Sequence, residues 1–511
     1  MSGKVWLVGA GPGDAGLLTL KGKQVLEAAQ VVVYDSLVGD GILAMIPKTA
    51  RLINVGKRAS HHTMKQEQIN QVLLEEAQKG YRVVRLKGGD PFLFGRGGEE
   101  LELLTENGVP YEVVPGVTSS IAVPAYNGIP VTHRDYCSSV HIITGHKKAG
   151  QAYDIDFEAL VRTGGTLVFL MGVTALEDIC THLVAAGMNP STPAAILQQG
   201  TTAGQKKIVA TVGTLKAEVD RQGIQTPAII VVGGVCELAE RFGWYENLPL
   251  AGCKVLITRP KELISSMAMR LRAQGAEVVE VPAISLEPAA DRTRINECLG
   301  RLDSYQWIAF TSPSGVRIFF ELLMEAGKDV RALGSCKIAA IGKGTEKALR
   351  EHHLYPDLMP ETFDGEALGR KMARECEEGA HILIPRAAIG NKEILEQLGK
   401  RPDLTIDDLS TYDTVYETQD LIDIGGEFEK GSIRYAVFTS ASTVRGFVRA
   451  AGNLDYAKVK ALCIGRQTQQ EAARYGMTTY VSKEASIDSL LKLVVELYQQ
   501  EKQGDEHHGN D

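Results

Sequence analysis

The sequence predicts an α/β protein of several lobes, and three observations lead there. Short β-branched runs alternate with longer helical patterns along the whole chain. Several of these runs pass straight into glycine-bearing loops, where α/β sheets usually place their ligands. The second half repeats itself at a nearly constant spacing.

In order, the first-half strands read KVWLVGA, VVVYD, RVVRLKG, HIITG, TLVFLMG and AIIVVGG. A chain of 511 residues should hold about three or four domains. With 44% hydrophobic and 23% charged residues it can bury ordinary cores. A seam is expected near residue 250, where ENLPLAG separates the strand at 228–235 from a new one, KVLIT. This divides the chain into 1–247 and 253–495, with a polar tail, 496–511, expected to be disordered. In the second half, AFTSPSGVR (309–317) is echoed by VFTSASTVR (437–445), LITR (256–259) by LIPR (383–386), and AIGKGT (340–345) by CIGRQT (463–468). These echoes predict two related α/β domains of about 120 residues.

Bulk properties exclude several classes. A formal net charge of −8 argues against a general nucleic-acid binder. No apolar stretch approaches the ~20 residues needed to cross a bilayer. The opening MSGKVWLVGAGPGD lacks a signal-peptide pattern, so the cytoplasm is the expected compartment. The eight cysteines form no C-x-x-C pair, which predicts reduced, mostly buried thiols and no metal site. His61–His62 reads as a loop pair.

VGAGPGD (8–14) follows a strand and precedes a helical pattern, as a dinucleotide site would, and Asp35 ends the next strand where a ribose ligand could sit. However, G-x-G-x-x-G requires glycine where this chain has Asp14, and Pro12 removes an amide from any phosphate nest. S-adenosylmethionine, which carries no phosphate, suits the loop better. Gly88 and Gly89 permit close backbone approach to a ligand, and Asp90 can accept hydrogen bonds.

Together YDSLV, GKR, VRLKGGDPFLFGRGGEE, VVPGVTS and LVFLMG resemble the uroporphyrinogen-III C-methyltransferases of the tetrapyrrole methylase superfamily, over residues 1 to about 245. The resemblance implies two α/β lobes with the site between them and a homodimer. It also implies transfer of methyl groups from S-adenosyl-L-methionine to C2 and C7 of uroporphyrinogen III, giving precorrin-2 and S-adenosyl-L-homocysteine without a metal. It assigns donor contacts to Pro12, Gly88, Gly89, Asp90, Leu93, Thr118, Ser119, Met171 and Gly200, a proton acceptor to Asp35 and a proton donor to Lys57. The substrate is rich in carboxylates, so nearby cations are candidate contacts: Arg51, Arg58, Lys87, Arg96 and Arg134.

Residues 253 to about 495 resemble uroporphyrinogen-III synthase through ITRP, FTSPSGVR, IGKGT, VYET, FTSAST and IGRQT. That family has two α/β domains joined by a two-stranded linker, one domain being discontinuous, and closes hydroxymethylbilane without a cofactor. The expected lobes are 253–286 with 417–495, and 290–412. Tyr416 matches the family's favoured acid, and Ser440 and Thr468 are candidate substrate contacts. The fusion implies a bifunctional enzyme of tetrapyrrole biosynthesis, whose product could feed siroheme or cobalamin. Two other readings stand beside it: a methyltransferase carrying a non-catalytic tetrapyrrole-binding module, and an NAD-dependent oxidoreductase.

Overall fold

The computed structural model describes residues 3–56, 64–145, 154–258, 264–281, 284–334, 336–390, 392–416 and 422–508. Its twenty strands form four five-stranded sheets. The first contains β1 (Lys4–Gly9), β2 (Val31–Tyr34), β3 (Arg51–Asn54), β4 (Arg82–Lys87) and β5 (Tyr111–Val114). It is wholly parallel, in the order β3-β2-β4-β1-β5. Helices cover both of its faces, which is why VVVY in β2 is buried at every position.

The second sheet contains β6 (Val140–Thr144), β7 (Thr166–Leu170), β8 (Pro193–Gln198), β9 (Lys206–Thr211) and β10 (Ala228–Val232). Its order is β6-β7-β10-β8-β9, with β10 antiparallel to both neighbours. That reversal brings the start of β10 to the edge where β7 and β8 end.

The second half holds β11 (Lys254–Thr258), β12 (Glu277–Val281), β13 (Ile284–Pro288), β14 (Trp307–Phe310), β15 (Lys337–Ala340), β16 (His381–Ala387), β17 (Thr405–Tyr416), β18 (Tyr435–Phe438), β19 (Lys460–Cys463) and β20 (Thr478–Val481). The sheets run β12-β11-β18-β19-β20 and β13-β17-β16-β14-β15. The antiparallel pair β13 and β17 edges the second of these.

The sequence echoes map onto equivalent strands: β11 with β16, β14 with β18, and β15 with β19. The lobes are not successive repeats, however. Each sheet takes one strand pair from each repeat, so β11 and β12 join β18 and β19, while β14 and β15 join β16 and β17.

The expected disordered tail requires correction over 496–508, and 509–511 lie outside the described residues. From 496 the chain continues a helix, Ile487–His508. Its polar composition conceals a function in packing: Glu501 accepts hydrogen bonds from Arg434 Nε at 2.6 Å and Lys460 Nζ at 2.6 Å. No helix among the described residues is long and apolar enough to cross a membrane.

Candidate active site

A cleft of about 560 Å³ opens between the two lobes of the first half. One wall comes from the carboxyl ends of β1, β2, β4 and β5, the other from the ends of β7 and β8 and the start of β10. Twelve sequence-predicted residues line it: Pro12, Asp35, Lys87, Gly88, Gly89, Asp90, Leu93, Arg96, Thr118, Ser119, Met171 and Gly200.

Their loops approach closely because the residues at the crossing lack side chains. A Cβ on Gly116 would collide with the Gly89 carbonyl, and one on Gly9 would stand 2.5 Å from Gly116 Cα. Gly89 itself has φ +67°, a conformation that favours glycine. Asp90 locks this junction. Its Oδ1 accepts from Phe92 N at 2.8 Å and Leu93 N at 3.2 Å, and its Oδ2 from Gly116 N at 3.0 Å. Asp90 therefore shapes the cleft as well as lining it.

Backbone strain marks the same place. Six described non-glycine residues have positive φ; Phe94, Arg96, Met171 and Gln199 line the cleft, and Thr201 adjoins it. Such conformations cost of order 1–3 kcal/mol each and persist where surrounding contacts enforce them.

Beneath the cleft lies a charge cluster that sequence reasoning missed in part. Arg85 and Lys87 alternate on β4 with Leu86 between them, so their side chains share a face. Both are almost fully buried. Glu100, fully buried in the helix Gly97–Glu106, accepts from Arg85 Nε at 3.0 Å and Lys87 Nζ at 2.7 Å. Arg85 also reaches Asp35 Oδ2 at 3.4 Å. Burial, and secondarily Arg85, hold the Lys87 ammonium below the usual lysine range, with Glu100 opposing. Two charges on a central strand were the available signal, because they demand a buried carboxylate.

The predicted cations divide. Arg96 lines the cleft, paired to Glu99 through Nε at 2.9 Å and Nη2 at 2.5 Å. Arg51 needs correcting. It begins β3, in register with Val31, and so lies at the opposite edge of the sheet from Asp35. There it pairs with Glu76 and stacks 5.6 Å from the Tyr81 ring. Arg134 is exposed and not part of the cleft lining. Lys57, Arg58, His61 and His62 lie outside the described residues.

In the second half, Tyr416 ends β17. Its hydroxyl accepts from Arg445 Nε at 3.1 Å, and the Arg449 guanidinium lies 4.0 Å from its ring centroid. Both arginines belong to the helix Ala441–Ala451, which Ser440 caps by accepting from Thr443 N. Ser440→Ala should therefore lower stability by about 1 kcal/mol, measured as a shift in the second half's urea midpoint. An unchanged midpoint would show that the cap contributes nothing. Thr468 is corrected as a substrate contact: it is 3% exposed in the first turn of Arg466–Arg474, facing the core. Its repeat partner Thr345 is equally hidden, so the echoed threonine serves packing.

The comparisons agree with this division. Residues 4–216 match the model for Tetrapyrrole (Corrin/Porphyrin) Methylases, and residues 265–492 match that for Uroporphyrinogen-III synthase HemD. The chain is 45% identical over 495 residues to the Porphyrin biosynthesis protein HemD of Ruminiclostridium josui, covering 97% of this chain and 98% of that one. It is 39% identical over 376 residues to the Uroporphyrinogen-III C-methyltransferase of Bacillus subtilis, covering 73% and 77%. Among solved structures it is similar to the uroporphyrin-III C-methyl transferase of Thermus thermophilus complexed with S-adenyl homocysteine. That match has 39% identity and a TM-score of 0.40, over 46% of this chain and 99% of that one. The chain belongs to the family of fused proteins in which a tetrapyrrole methylase of the uroporphyrinogen-III C-methyltransferase type is followed by a uroporphyrinogen-III synthase.

Proposed function

We infer that the two halves catalyse consecutive steps: the second closes hydroxymethylbilane to uroporphyrinogen III, and the first methylates that product at C2 and C7 to precorrin-2. The observation that carries the reading is the convergence of twelve predicted residues on one interlobe cleft. The cleft fits S-adenosylmethionine in character. Leu93, Met171 and Ile229 offer apolar wall, while the Gly11–Pro12 and Gly88–Gly89 segments present backbone at close range. When bound, that donor supplies an electrophilic methyl group.

The chain's own part is to position and to move protons. Pro12, Gly88, Gly89, Leu93, Thr118, Ser119, Met171 and Gly200 hold the donor, with Asp90 keeping their loops in place. Alignment of two reactants can account for much of the rate. Asp35, oriented by Arg85, accepts the proton released from the pyrrole carbon. Lys57 keeps its assignment as donor through the family resemblance. Arg96 meets substrate carboxylates. In the second half, the Tyr416 oxygen accepts from Arg445, leaving its own proton available to the departing hydroxyl.

One incubation tests both halves. Hydroxymethylbilane alone should yield uroporphyrinogen III, and with S-adenosylmethionine it should yield precorrin-2, each identified by chromatography and mass. Formation of only the type I isomer would sink the synthase assignment. Uroporphyrinogen III that stays unmethylated would sink the other.

A further inference from the structure

Behind the donor cleft, loops of the first half meet the second half of the chain. Gly13, Asp14 and Thr201 share a small enclosed space with Arg272, Glu277 and Val278. Three loops that line the cleft reach this junction. Loop 11–14 is tied to the loop after β8 by Asp14 N, which donates to Thr201 Oγ1 at 3.2 Å. The loop after β2, which carries Asp35, packs on the first: a Cβ on Gly39 would stand 2.7 Å from Gly13 O.

Charged groups of the second half grip two of these loops. Ala203 N, in the loop after β8, donates to Glu277 Oε2 at 2.8 Å. Glu277 Oε1 lies 3.3 Å from Lys254 Nζ. Lys254, 8% exposed, also donates to Asp40 Oδ2 at 2.7 Å and to Glu427 Oε2 at 2.9 Å. Asp40 begins the helix that follows the Asp35 loop. Glu277 and Lys254 are the first residues of β12 and β11, so two adjacent strand starts hold two cleft loops from behind.

The loop after β8 needs such support. Gln199 and Thr201 flank Gly200 with φ of +44° and +72°, which non-glycine residues adopt only under restraint. A charge-assisted bond from a partly buried carboxylate is a strong restraint of this kind.

We propose that Glu277, held by Lys254, is a positioning residue for donor binding, so that the synthase half braces the methyl-donor pocket. This rests on reading the cleft as that pocket. The brace makes methylation depend on a residue outside the methylase half. Coupling of this kind is reciprocal, so donor binding also steadies the starts of β11 and β12.

The test uses the full chain and titrates S-adenosylhomocysteine calorimetrically, with synthase turnover of hydroxymethylbilane assayed in parallel. In Glu277→Ala the dissociation constant should rise at least about fivefold, with synthase turnover retained. Glu277→Gln keeps an oxygen for Ala203 N and should restore binding to within about twofold of the parent. Asp40→Ala cuts the same network from the methylase side and should also weaken binding. Unchanged affinity in both alanine variants would overturn the brace. A parent chain that binds no S-adenosylhomocysteine would overturn the donor-pocket reading, and the brace with it.

Discussion

Asp35→Asn should lower the rate of methyl transfer by about 10²- to 10⁴-fold and leave S-adenosylhomocysteine affinity nearly unchanged. The substitution isolates one property of the side chain. Asp35 Oδ1 accepts from Leu37 N at 3.1 Å, and an asparagine carbonyl can keep that turn. Oδ2 faces Arg85 Nη2 at 3.4 Å, and Arg85 retains Glu100 when this contact is lost. The variant therefore keeps the loop and loses the basic oxygen. If Asp35 were only a turn acid, losing one hydrogen bond would cost about 1 kcal/mol of stability and leave the chemical step alone. Single-turnover methylation, measured beside the binding constant, separates the two cases. An unchanged single-turnover rate would remove Asp35 from the reaction.

The interlobe cleft was legible because strand ends advertise themselves. VVVYD passes from a continuous apolar run, and VVRLKGGDP from a strand broken only by Arg85 and Lys87, into the residues that now line the cavity. Arg51 misled because sequence proximity to Asn54 and GKR hides a strand's length. Three steps along β3 separate it from that end by about 10 Å. The partner of Arg85 could not be read by proximity either, since Glu100 lies 15 residues later on a helix. Thr468 stands inside a recurring motif, yet the recurrence reflects a buried helix turn shared with Thr345. In the tail, the hydrophobic pattern fades while Glu501 still anchors the helix by charge. The repeat offsets were plain in the sequence. The exchange of strand pairs between lobes was not, because an offset says nothing about which strand lies beside which.

Glu100→Leu should destabilise the methylase half by about 3–5 kcal/mol, the usual cost of removing one partner from a buried ion pair. The leucine fills the space but leaves Arg85 and Lys87 buried side by side, with Asp35 and the Val33 and Leu86 carbonyls still meeting Arg85 and no carboxylate on Lys87 in place of Glu100. Because the halves carry separate cores, no single unfolding transition describes the chain. Hydrogen exchange resolves the effect: protection should fall across β1, β2 and β4 and persist across β14 and β18. Equal protection of β4 in parent and variant would show that the cluster contributes no stability. The loss should also depend on pH. Burial already holds the folded-state pKa of Lys87 below its ordinary value, and the variant removes the Glu100 contacts that raise it. Between the lowered folded pKa and the unfolded one, the unfolded chain binds more protons, so stability rises with pH. The deficit of Glu100→Leu should therefore shrink as pH climbs toward the unfolded lysine value, as Lys87 sheds its proton and one of the two buried charges disappears.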